Sequence, residues 1–454
     1  MRASVVYVLC CMGVNFLCSD AYKAGVVDSS NNDVAGVVSL IYEAGEKNVD
    51  ILVVPSDITN NEDSYDDIVK VLSKAAKQAG LYLVAHLNEM TVCQKKPVPV
   101  RSNLLIDRQG TIVSVYRKPV INIANCTSST GSTSFTTDFG VSFGLMMEED
   151  LVLMSPESNL RNFVVAGTWN SEIPFLSASQ FTRSWAHTAN ANVLSKDGIF
   201  SGRTGAKAVV GNLVVADLKN DADEELATSP PVVNPASIKN FPSEDLSQYI
   251  FRPLNVEASS RGYQESVCHN NFCCEFNVKT SNKGPKQEVN YGLAAFDGIR
   301  HFGGNHFIGT QNCAVFACAG LYKRSCKIGS VNNNTNIIFD KLTISANFNF
   351  ENSIQYPVII TNEVLTNDRF TFVTKTDINS KKVTIELTET DNLIAFGIFG
   401  RDFNNDYENS SEVKNDDSIY DYIFTEDLQE IFDYLWIRLR ILLFIVSIYV
   451  LEMM

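Results

Sequence analysis

The hydrophobic positions in the first half of the chain change their period repeatedly. A continuous apolar run at Ala24–Val27 gives way to a helix-spaced segment from Val34 to Lys47, and Ile51–Val54 returns to an unbroken apolar run of strand length. A second helix-spaced stretch, Tyr65–Ala79, precedes a strand pattern at Leu81–Leu87. Arg101–Asp107 and Thr111–Tyr116 flank the turn-forming pair Gln109-Gly110 and predict a hairpin. The run Val164–Trp169, a helix-spaced Ser177–Ala191 and the strand-like stretch from Asn192 carry the alternation to about residue 215. Apolar strands alternating with helices predict an α/β layered fold.

From Asp217 the chain turns acidic and rich in Ser and Pro (LKNDADEELATSPPVVNPASIKN), which predicts a linker. Beyond about residue 260 the pattern is one of short alternating strands, such as Phe370–Lys375, Lys382–Leu387 and Leu393–Gly400, so the second domain is expected to be β-rich. The length of 454 residues suits two domains. The expected boundaries are a signal peptide over 1–21, an α/β domain over 22–225 and a linker over 226–254. A β-rich domain over 255–405, an acidic segment over 406–434 and a hydrophobic tail over 435–454 follow.

Composition adds a compartment to this picture. Arg2, an apolar stretch from Val5 to Leu17, and Ser19 and Ala21 at small-x-small spacing read as a secretory signal. Of the 11 cysteines, Cys10, Cys11 and Cys18 fall in that signal, and an oxidising compartment favours pairing of the rest. Six crowd between Cys268 and Cys326: Cys268, Cys273, Cys274, Cys313, Cys318 and Cys326. They predict a disulfide-stapled module whose connectivity the sequence leaves open. Adjacent Cys273-Cys274 has the wrong spacing for a zinc site, so no metal is expected, and no cofactor. Glycosylation sequons stand at Asn125, Asn333 and Asn409. A net charge of −15 without a basic cluster argues against nucleic acid. The apolar tail is interrupted by Arg438 and Arg440, which makes it short for a spanning helix and of suitable length for a lipid-anchor signal.

Several motifs in sequence order carry a resemblance. ILVVPSD at 51–57, NLLIDRQGTIVSVYRKPVI at 103–121 and FTTDFGVSFGLMMEEDL at 135–151 resemble the catalytic segments of the nitrilase-like carbon–nitrogen hydrolases. VCHNNFCCEF at 267–276, YGLAAFDGIR at 291–300 and AFGIFGRDF at 395–403 are similar to the second domain of the vanin (pantetheinase) and biotinidase branch. The resemblance implies a four-layer α-β-β-α sandwich followed by a smaller, disulfide-stapled β-rich domain. It also implies amide cleavage by a Cys nucleophile, a Glu base and a Lys near the oxyanion.

Carried across position by position, the Lys matches Lys118, the Glu falls on Ser56, and the Cys falls on Glu148. A serine hydroxyl is no base at neutral pH, and a carboxylate replaces the thiol. Asp57, next to Ser56, is expected to point away from the site as strand neighbours do. Cys126, inside a sequon, suits a disulfide with Cys93 rather than a nucleophile's role. An ion pair between Lys118 and Glu148 is expected to fill the former site. Trp169 and Trp185 are candidates for its mouth, with core packing as the default, and His86, His187, His269, His301 and His306 are assigned structural roles. Two functions follow from different classes: an extracellular, secreted or surface-anchored pseudoenzyme that binds a partner or a small amide or carboxylate ligand, and a working hydrolase of pantetheine-like or biotinyl amides.

Overall fold

The computed structural model describes residues 21–27, 33–58, 64–93, 96–119, 133–156, 159–167, 172, 174–202, 205–208, 212–220, 245–284, 289–303, 306–326, 336–361, 370–378 and 380–408. Residues 1–20 of the signal segment, the tail, the three sequons, Trp169 and Cys126 lie outside them, as does the side chain of Cys93, while Ala21 already belongs to the first strand.

Two six-stranded sheets build the first half. Across the first run β12 (Leu213–Lys219), β1 (Ala21–Val27), β2 (Ile51–Val54), β3 (Tyr82–Cys93), β4 (Lys96–Ile106) and β5 (Ile112–Pro119). Across the second run β11 (Gly205–Ala208), β10 (Gly198–Ser201), β9 (Asn192–Ser195), β8 (Asn162–Val165), β7 (Ser142–Met146) and β6 (Ser134–Thr136). In each sheet three central strands are parallel, β1-β2-β3 and β7-β8-β9, with antiparallel strands outside them.

Strand alternation sorts the side chains of the first sheet. Leu52, Val54, Leu83, Ala85, Leu104 and Ile106 face outward, under the helices α1 (Val34–Glu46) and α2 (Tyr65–Ala79). Ile51, Val53, Tyr82, Val84, Leu105 and Tyr116 face inward, onto Phe143, Leu145, Val164 and Leu194 of the second sheet. The helices form where the spacing predicted. Helix α1 buries Val34, Val37, Leu40, Ile41 and Ala44 behind an Asp33 N-cap, and α2 runs from a Ser64 N-cap to left-handed Gly80. On the far side of the second sheet lies α4 (Ala178–Ala189), with Phe181 and Trp185 packed against Phe163 and Val193. The four layers are therefore α-β-β-α. The short helix α3 (Asp150–Leu153) follows β7.

The second half is a pair of five-stranded sheets. The third sheet runs β13 (Ile250–Pro253), β16 (Asn290–Phe302), β17 (His306–Cys318), β22 (Leu393–Glu408), β19 (Ser353–Thr361). The fourth runs β14 (Tyr263–His269), β15 (Phe272–Asn282), β18 (Ile337–Phe348), β21 (Ser380–Asp391), β20 (Phe370–Asp377). Leu293, Val315, Phe396 and Ile398 of the third sheet pack on Phe276, Ile344 and Ile385 of the fourth. From its other face, Phe296, Phe316, Tyr356 and Phe399 join the core around α4.

Three expectations need correction. The linker does not begin at Asp217, because β12 runs to Lys219, pairs with β1 and buries Leu218. Nor does it extend to 254, because Ile250–Pro253 is already a strand on β16. The β-rich strands are long, up to the 16 residues of β22, which ends at Glu408 rather than at 405. The cysteines pair as Cys268–Cys273, Cys274–Cys313 and Cys318–Cys326. The second of these ties the fourth sheet to the third.

Candidate functional site

The parallel strands β2, β7, β8 and β9 all end on one side of the sandwich, where open α/β sheets present their ligand sites. Pro55 and Ser56 follow β2, Glu148 follows β7, Gly167 follows β8, and the turn residues Lys196 and Asp197 join β9 to β10. The Gly167 amide donates to the Pro55 carbonyl (2.8 Å) and ties the ends of the two sheets together. At φ 123° only glycine is comfortable there, and a Cβ on it would lie 3.3 Å from His86 Cε1 and 3.8 Å from the Glu148 nitrogen.

Inward alternation on the first sheet delivers the rest. His86 continues the Tyr82, Val84 row on β3, Arg101 and Asn103 continue the Leu105 row on β4, and Lys118 follows Tyr116 on β5. Asn103, fully buried, is the hinge of this end: its Nδ2 donates to the carbonyls of Met146 (2.8 Å) and Ala166 (3.2 Å), and its Oδ1 meets His86 Nδ1 at 2.6 Å. Burial pulls the His86 pKa down, so the ring is neutral.

Lys118 is engaged, but not as expected. Its ammonium pairs with Asp150 Oδ1 and stands 3.7 Å from Glu149 Oε1, while Glu148 Oε2 is 3.7 Å from Lys196 Nζ. The cause is local. The chain bends into α3 directly after β7, and the Met147 amide donates to Asp150 Oδ2 (2.8 Å), which turns that carboxylate back under the strand toward β5. Tyr116 donates to the same oxygen (3.0 Å), and burial followed by the Asp150 charge raises its phenol pKa. Glu149 takes a two-pronged bond from Arg101 at 3.0 and 2.5 Å. Burial pushes its carboxyl up, but Lys118 and Arg101 together outweigh this and hold it below the usual range.

Ser56, Lys118 and Glu148 thus gather at one end of the sandwich, with Glu148 only 1% exposed and Ser56 8%. Asp57 does not leave the site. The strand ends at Val54, so alternation no longer governs position 57, and Asp57 Oδ1 lies 3.4 Å from His86 Nε2. Trp185 takes the default, fully buried and edge-on to Phe163 at 4.9 Å. Sequence reasoning gave His86 only a structural role and overlooked Arg101, Asn103, Asp150 and Lys196. The signal for the first three was the strand parity they share with the inward core residues. Among the described residues no three His, Cys, Asp or Glu side chains converge as metal ligands would.

The chain is similar to several known proteins. The Vanin C-terminal domain family matches residues 239–406. Vanin-like protein 3 of Drosophila melanogaster is 27% identical over 384 residues, covering 68% of this chain and 73% of that protein. The biotinidase of Takifugu rubripes is 22% identical over 313 residues, covering 57% and 62%. The Saccharomyces cerevisiae Nit3 structure, described as a member of branch 10 of the nitrilase superfamily, aligns at 16% identity over 44% of this chain and 90% of that chain. Its TM-score of 0.35 adds nothing to the strand order. Through its matched C-terminal domain and an alignment along about two thirds of its length, the chain is similar to the vanin-like and biotinidase proteins.

Proposed function

We propose that this is an extracellular member of the family whose amide-hydrolase site is degenerate and which acts by binding rather than by turnover. One observation carries the reading. Glu148, which the sequence resemblance places at the nucleophile position, is a buried carboxylate beside Lys196, while Lys118 is paired with Asp150. A carboxylate attacking an amide would form an anhydride and expel a poor leaving group, and the retained lysine is held by carboxylates rather than free to meet an oxyanion. The signal-like N-terminus, the sequons at Asn125, Asn333 and Asn409 and the three disulfides support secretion, with lipid anchoring through the tail as the surface-bound form.

The test is hydrolysis of a chromogenic pantetheine amide by the purified protein beside its Ser56→Glu, Glu148→Cys variant. Silence from the first with turnover by the second is the expected result. Turnover by the unmodified protein that survives Lys118→Ala would overturn the assignment of the site and restore the hydrolase reading.

A further inference from the structure

The acceptors at this end of the sandwich outnumber their donors. Asn103 Nδ2 faces two carbonyls, so its Oδ1 faces His86, and His86 Nδ1 must carry the ring proton. Neutral His86, 2% exposed, therefore presents a bare Nε2 lone pair toward Asp57 Oδ1 at 3.4 Å. Two acceptors face each other there. Among the described residues none donates a hydrogen bond to the buried Asp57 Oδ1 atom, and the same holds for the Ser56 hydroxyl oxygen one residue earlier. Buried polar atoms of this kind are normally satisfied, and those left over mark an ion, water or ligand. Gly167 leaves the space beside His86 clear of a side chain. The Asp57 side chain as a whole is 39% exposed, so the spot is reachable from outside.

We propose that Ser56 Oγ, Asp57 Oδ1 and His86 Nε2 form a binding site for the ammonium end of a primary amine, with Asp57 as its counter-charge. An ammonium offers three N–H donors and a full positive charge, which suits the bare oxygen of Asp57, the His86 lone pair and the lone pairs of a Ser56 hydroxyl whose own O–H can turn toward Asp57. A carboxylate would be repelled by Asp57, and a neutral amide lacks the charge. Burial, which holds His86 neutral, keeps its lone pair available. The assignment deepens the binding reading by naming a ligand class.

Titration of the full-length protein with n-butylammonium, n-butanol and butyrate, followed by calorimetry and by ¹⁵N NMR of the histidine rings, tests it. Butylammonium is expected to bind at least tenfold more tightly than either isostere, to shift the unprotonated His86 Nε2 resonance, and to lose at least tenfold in affinity in Asp57→Asn. Ser56→Ala should weaken binding several-fold. A His86 Nε2 that is already protonated in the free protein would overturn the proposal, as would equal binding of butyrate or indifference to Asp57→Asn. The NMR readout uses the unmodified chain, so it stands whether or not the variants fold. Absence of amine binding together with absence of amide turnover removes the ammonium site alone. Amide turnover by the unmodified protein removes the degenerate-site reading instead.

Discussion

Lys118 was legible in the sequence because VYRKP is a motif, but its partner was not, because a residue's direction after a strand depends on the bend that follows. The bend into α3 brings Asp150, not Glu148, to the ammonium, and makes Lys118 a structural residue. Lys118→Met would leave Asp150, 1% exposed, with the Tyr116 hydroxyl and the Met147 amide but no cation. Breaking a buried pair from one side costs about 3–5 kcal/mol, and partial exposure of Lys118 lowers the expected loss to about 2 kcal/mol. Urea denaturation measures it, and a loss below about 0.5 kcal/mol would sink the structural role. Asp197 gives a second prediction at this scale. The residue is half-buried, yet its Oδ2 is sealed without a hydrogen bond, and burial lifts its carboxyl to about 6 against the pull of Lys196. A carboxyl raised on folding penalises the folded state increasingly as pH climbs from the ordinary aspartate range to about 6, and fully above that. Asp197→Asn should therefore stabilise the protein at neutral pH by on the order of 1–2 kcal/mol, with no gain near pH 4. Glu149 has the opposite sign: its depressed pKa adds stability that is present above the ordinary glutamate range and lost as pH falls through the lowered folded value.

At the level of elements, burial on two faces separates the β-rich half into two kinds of strand. In the third sheet β17 is buried almost continuously from Ile308 to Cys318, because the α/β core lies on one side and the fourth sheet on the other. In the fourth sheet β15 alternates strictly from Phe272 to Thr280, one face apolar and one in water. The sequence announced the second kind as alternation. Leu393–Gly400, expected to alternate in the same way, is instead buried throughout as part of β22, so the third sheet's role as a middle layer was not legible. Disulfide pairing was equally closed to sequence, since six cysteines allow 15 arrangements. The pairing found makes a graded prediction. Cys274–Cys313 closes a separation of 39 residues between two sheets, whereas Cys268–Cys273 closes 5 within one hairpin. Loop-closure entropy makes the longer link worth about 2 kcal/mol more. Replacing Cys274 and Cys313 together by Ala should therefore lower stability well beyond the Cys268, Cys273 double replacement. Equal losses in denaturant melts would show that native contacts rather than chain entropy set the value of these bridges.

On the scale of the whole molecule, an α-β-β-α sandwich and a β-rich half share one core, so neither is expected to be a free-standing unit. Phe163, Phe175, Phe181 and Trp185 of the α/β half lie in the same cluster as Phe296, Tyr356, Ile394 and Phe399 of the β-rich half. Polar links cross the same seam. Ser184 and Gln180 on α4 donate to the Pro357 carbonyl on β19, at 2.5 and 2.9 Å. Arg401 on β22 makes another of them. It is fully buried, donates from Nε to the Val152 carbonyl of α3 (2.8 Å), and holds Asp406 with both terminal nitrogens. The β-rich half thereby steadies the turn that carries Asp150 and Glu149, which links a strand far along the chain to the geometry of the site. Lysine keeps the charge but not the planar fork, so Arg401→Lys should cost about 3 kcal/mol and loosen α3. Residues 22–225 expressed alone would expose the aromatic face of α4 and the second sheet to water. That fragment is expected to bind a hydrophobic dye and to lack native near-ultraviolet circular dichroism, while the full chain melts in a single transition. A monomeric fragment with a cooperative melt would mean that the shared cluster is a docking contact between two independent domains, and that Arg401 acts on the site only after each has folded.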